Sequence, residues 1–88
     1  MRRKVFTIED YFQITGRGLV IVGKKEDRSF YLWNDASIII VAPDGEEFQA
    51  KVLGIEMFSP PNFKIEAVSI GSFKNLELLK GSTVFVDE

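Results

Sequence analysis

The feature that most constrains this chain is the run from Ile8 to Gly23, where two β-rich segments meet at Gly16-Arg17-Gly18. Phe6, Ile8, Phe12 and Ile14 are spaced by two residues or a multiple of two, the period of a strand that buries one face. Asp10 shares that parity and interrupts it. Beyond the turn, Leu19-Val20-Ile21-Val22 is continuously apolar, which suits a strand covered on both faces. Gly16 and Gly18 can take positive φ or let another backbone approach closely, which Arg17 between them could not do at low cost. These three residues are the expected structural turn of the fold.

The rest of the chain repeats the theme. Strands are expected at residues 4–14, 17–25, 36–42, 47–57, 63–70 and 83–86. Phe30-Tyr31-Leu32-Trp33 reads either as a brief strand or as a lid on one end of the fold. Asn34-Asp35 is a turn pair, and Pro43-Asp44-Gly45-Glu46 is the clearest hairpin signal. Ser59-Pro60-Pro61-Asn62 ends the long strand, because two prolines deny a ladder two donors. In residues 63–70 neither parity is purely apolar, so the core face of that strand stays open. Lys74 to Lys80 has room for one or two helical turns, stopped by Gly81. Six or seven short strands with turns at close intervals point to an all-β fold, a small closed antiparallel β-barrel with one short helical turn. Residues 1–88 are expected to form a single domain.

Composition narrows the function. A chain that is 45% hydrophobic with 8 Phe has enough apolar material for a core. Phe6, Phe12, Phe48, Phe58 and Phe85 are expected there. Phe30, Tyr31 and Trp33 stand beside a charged tip and are a candidate interaction patch. A net charge of -2 argues against binding through a generally basic surface, though not against local contact with a nucleic acid end. No apolar run approaches the ~20 residues of a membrane span. Met1-Arg2-Arg3-Lys4 is followed by no signal-peptide hydrophobic region, so a cytoplasmic location is expected.

There is no His and no Cys, which removes the usual neutral-pH base, the commonest metal ligand and all thiolate chemistry. The neighbouring carboxylates Glu9 with Asp10 and Glu46 with Glu47 point to opposite faces of a strand and do not form acid–base pairs. Asp44, Glu46 and Glu47 lack the spacing of a calcium loop, and no phosphate-binding glycine loop is present. The chain is therefore expected to be non-catalytic, with no cofactor, metal or nucleotide.

Three stretches carry a resemblance. Phe6-Thr7-Ile8-Glu9-Asp10-Tyr11-Phe12-Gln13-Ile14-Thr15-Gly16-Arg17-Gly18, with Val20 and Gly23 beyond, is the first. Gly54-Ile55-Glu56-Met57-Phe58 is the second, and Gly71 followed by Lys80-Gly81 and an apolar strand is the third. Their order and spacing resemble the second domain of elongation factor Tu, the β-barrel shared by translational GTPases. The resemblance implies that barrel as a stand-alone domain, without the GTPase domain that precedes it in the family. In the family the barrel helps hold the aminoacylated end of transfer RNA. Carried over residue by residue, the resemblance places Glu9 and Asp10 near the amino acid, and Val20 and Glu56 near the terminal adenosine. Ser59 stands where that site usually has a basic residue, and a pocket leucine is replaced by Val68 or Ser69 depending on alignment. Asn34 stands at a turn glycine of the family and is expected to take its positive φ. Two functions follow: a module that contacts RNA (a transfer RNA end or ribosomal RNA) or another translation component, or a protein-interaction module that keeps the barrel alone. The second includes self-association into a homo-oligomer. Glu9 and Asp10 also have a structural alternative, bonding backbone amides at a strand bend.

Overall fold

The computed structural model describes residues 2–16, 18–27, 29–56, 64–71, 73 and 76–87. Its strands are β1 (Arg2–Ile14), β2 (Gly18–Lys25), β3 (Ser37–Val41), β4 (Glu47–Lys51), β5 (Gly54–Ile55), β6 (Ile65–Gly71) and β7 (Thr83–Asp87). A 3-10 turn, Leu76–Leu78, precedes β7. The strands form one seven-stranded antiparallel sheet in the order β4-β3-β7-β1-β2-β6-β5. Arg17, Arg28, Met57, Phe58, Ser59-Pro60-Pro61-Asn62, Lys74 and Asn75 lie outside the described residues.

The parity of β1 changes half-way along. Ile8 pairs with Gly23 and Asp10 with Val22, so Glu9 is an extra residue in the ladder, a β-bulge. One inserted residue moves every later side chain to the other face. Phe6 and Ile8 are buried, but Phe12 is 51% and Ile14 38% exposed, while Tyr11 packs against the core. The expected core position of Phe12 is therefore overturned by the bulge. A second bulge between Lys4 and Phe6 lets Val5 and Phe6 both be buried. Phe48 and Phe85 are half-buried. Phe48 meets Phe73 edge-on at 5.0 Å and packs against the core.

β2 is covered on both faces: Leu19, Val20 and Ile21 are all buried. Gly23 is required there, since a Cβ would collide with the Thr7 carbonyl and the Phe6 ring. Gly18 sits at φ 87, with a Cβ position only 2.7 Å from the Gly71 carbonyl oxygen, so the β1–β2 turn folds against the end of β6. On β6, Val68 and Ile70 belong to the core cluster, and Ala67 and Ser69 alternate with them onto the outer face.

The single long strand expected at 47–57 is two strands. Val52 N–H donates to the Ala36 carbonyl at 2.9 Å and Leu53 N–H to the Ser69 carbonyl at 2.8 Å. Val52 and Leu53 thus carry the chain from β4, at one end of the sheet, to β5, at the other. Among the described residues the sheet is not closed into a barrel by ladder hydrogen bonds. Residues 30–33 form no strand. In the next turn it is Asp35, at φ 69, that takes the left-handed conformation, not Asn34. The hairpin at residues 43–46 is present: Gly45 lies at φ 93 and the Asp44 carboxylate accepts the Glu46 amide at 2.9 Å. Gly81, at φ 86, follows the 3-10 turn, and the Ser82 hydroxyl donates to the Leu78 carbonyl.

Candidate functional site

Registers place the predicted site residues. Directly opposed residues of an antiparallel pair share a face. Phe12 opposes Val20, Val20 opposes Ser69 and Ser69 opposes Gly54, a row across four strands. The next row runs from Asp10 to Val22 to Ala67, where the Glu56 amide donates to the Ala67 carbonyl at 2.8 Å. Both rows lie opposite the core residues Leu19, Ile21, Val68 and Ile70. Asp10, Val20 and Glu56 therefore share one outer face.

An open groove of about 360 Å³ lies on this face, lined by Gly16, Leu53, Gly54, Glu56 and Ser69. Room for it comes from Gly54, which has no side chain, and from the small Ser69 opposite it. Phe12 stands exposed two strands beyond Ser69, in the same row, and Leu53 is 56% exposed at the groove itself. Val20, 3% exposed, lies beside Ser69 on the same face and does not itself line the groove. Of the two positions that alignment leaves open for the pocket leucine, Ser69 lines the groove and Val68 faces the core. The bulge hid Phe12 from a parity argument, and no local motif marks Leu53 or Ser69. Gly54 was visible only as part of Gly54-Ile55-Glu56-Met57-Phe58.

The two acidic neighbours differ. Glu9 is the bulged residue and is exposed. The Asp10 carboxylate accepts the Tyr11 amide at 2.9 Å and lies 3.8 Å from the Lys80 ammonium. That amide bond stands beside the bulge, where the irregular ladder frees a donor.

Phe30, Tyr31 and Trp33 sit elsewhere, and none of them lines this groove. Phe30 is half-buried and meets Trp33 edge-on at 6.3 Å; Tyr31 is 57% and Trp33 53% exposed. Beneath Tyr31 lies the Lys25 ammonium, 3.7 Å from the ring centroid and 3.3 Å from the Glu66 carboxylate. The basic N-terminus is matched by carboxylates. Arg2 donates two hydrogen bonds to Glu47 at 2.7 and 2.9 Å, Lys4 pairs with Glu26 at 2.7 Å, and Arg3 lies 3.6 Å from Asp27. The hydrogen bonds from Arg2 hold the Glu47 carboxyl below its ordinary value, and Glu47 in turn raises the Arg2 guanidinium. Asp27 is lowered by the hydroxyl and amide of Ser29.

A larger groove, about 550 Å³, lies over β3 and β4 beside Asp87. Among the described residues it holds none of the predicted site residues, and Lys51 and Asp87 are the charged groups that line it. Among the described residues no three His, Cys, Asp or Glu side chains are grouped so as to hold a metal ion, and no helix is long and apolar enough to cross a membrane. No protein-family model matches the chain, and no curated protein matches it significantly.

Proposed function

We propose that the chain is a non-catalytic binding module of the translation-factor barrel type, a closed barrel in use, that takes an RNA end in the outer-face groove. The observation that carries this reading is the common face of Asp10, Val20 and Glu56 next to a groove with a small-residue floor. A flat ring fits such a floor beside the exposed Leu53 side chain, and the Glu56 carboxylate accepts hydrogen bonds from hydroxyl or amino groups. With a net charge of -2, affinity comes from this local contact more than from a field, and salt weakens it modestly. The test is titration of free and aminoacylated transfer RNA into the protein at low salt. Saturable binding that Phe12→Ala and Glu56→Gln both weaken supports the reading; absence of binding by either RNA at low salt refutes it.

A second reading is a protein-interaction module working through Phe30, Tyr31 and Trp33. It draws on the half-exposed rings of Tyr31 and Trp33. Sedimentation against concentration tests its self-associating form. A Tyr31→Ser/Trp33→Ser variant abolishes association on this reading, and an unchanged profile opposes it.

A further inference from the structure

We infer that residues 29–36 form a lid over the Lys25–Glu66 end of the sheet, one that opens as a unit while the strands stay paired. This is independent of what the outer-face groove binds.

The lid's backbone is fastened to the sheet near its C-terminal end and, just before it, at Glu26. Glu26 N–H donates to the Val5 carbonyl at 2.9 Å, and Asp35 N–H to the Val52 carbonyl at 2.8 Å. Phe30 N–H donates to Asp27 at 3.1 Å and Ala36 N–H to Trp33 at 3.2 Å, bonds that stay within the connection. Val52 N–H donates in turn to the Ala36 carbonyl at 2.9 Å, and Ala36 is buried in the core cluster, so the C-terminal end is the anchored one; over residues 29–34 side chains do the fastening. Leu32 is 6% exposed in the core cluster, the Arg3 guanidinium lies 4.9 Å over Phe30, and Lys25 lies under Tyr31.

The Lys25 and Glu66 side chains are 2% and 6% exposed. Bringing two charges out of water costs about what their attraction returns, so the pair adds little to closure. Opening rehydrates both ions but gives up their attraction, so the cost of opening is set by Leu32 burial and the two cation–π contacts. The Asp35 backbone, left-handed without being glycine, places mild strain at the C-terminal hinge. The closed lid presents two half-exposed aromatic rings; the open one uncovers the Lys25 ammonium. The segment is thus a switch between an aromatic and an ionic surface.

Amine acylation read by peptide mass spectrometry tests this on the intact chain. Lys24, exposed on the neighbouring position, is the internal reference. Lys25 is expected to acylate about tenfold or more slowly than Lys24, by a factor set by the open fraction of the lid. Its rate is expected to stay flat in low urea, as for a local opening. Tyr31→Ala should bring the Lys25 rate towards that of Lys24 without shifting the urea midpoint. If the Lys25 rate instead climbs with urea in parallel with global unfolding, the lid is overturned. Equal protection of Lys25 in folded Tyr31→Ala overturns it as well. Should that variant not fold, the urea dependence in the native sequence decides alone.

Discussion

Truncating Phe12 and Phe6 separately isolates the bulge at Glu9. Both rings stand on β1 six residues apart, and a continuous period of two would bury both. Phe6 is fully buried, whereas Phe12 is 51% exposed because the bulge turns it outward. Burying a whole Phe is worth roughly 1.5–3 kcal/mol, so a half-exposed ring contributes about 1 kcal/mol. Phe6→Ala adds a cavity to the lost transfer energy and costs about 3–5 kcal/mol. That is a large share of the roughly 5–15 kcal/mol that holds a domain together. Urea denaturation followed by far-UV circular dichroism reads both, with the slope unchanged if only stability has moved. Phe12→Ala should shift the midpoint slightly and Phe6→Ala greatly. Tyr11→Ala, which removes a ring packed on the core, should fall between them. Equal costs for Phe12→Ala and Phe6→Ala would refute the bulge and return Phe12 to the core.

Gly23→Ala should cost ~3 kcal/mol or more, because the new methyl meets the Thr7 carbonyl and the neighbouring backbone has little freedom to move; urea midpoints check it, and a neutral result contradicts the close approach. The Arg2–Glu47 pair should show its effect through pH. The folded-state pKa of Glu47 lies below its unfolded value, so the pair's contribution is present above the unfolded value of 4.5 and is lost as pH falls through the depressed folded one. Thermal melts of the native chain and Arg2→Ala should therefore differ at about pH 6 and converge towards about pH 3, the difference staying small because both groups are exposed. High salt should shrink the same difference at pH 6, and an unchanged gap in 1 M salt would contradict a purely surface pair.

The strands, the hairpin at residues 43–46 and the glycine stop after the helical turn were legible because each depends on local chemistry. Apolar runs, an Asp-Gly pair and Gly81 announce themselves without long-range contacts. The outward turn of Phe12 was not legible, because a bulge is one residue of ladder mismatch and leaves no compositional mark. The split of residues 47–57 at Val52 and Leu53 depends on Ala36 and Ser69, partners far away in sequence. The core face of β6 was ambiguous for a related reason: Glu66 has the parity of Val68 and Ile70, and only Lys25 across the ladder makes its burial tolerable. Asp10, Val20 and Glu56 were marked by resemblance alone, and it took the register to show that they share a face. Ser69 was marked only as one of two alternatives, with Val68, for a pocket position, and Leu53 had no signal at all until the chain was folded.

The most direct test of the RNA-end reading is an amide chemical-shift map of the labelled protein titrated with a short RNA that ends as transfer RNA does, free and aminoacylated. Saturable shifts are expected at Gly16, Leu53, Gly54, Glu56 and Ser69, with residues 29–36 unmoved. Shifts confined to Tyr31 and Trp33, or none at any RNA concentration at low salt, would contradict it.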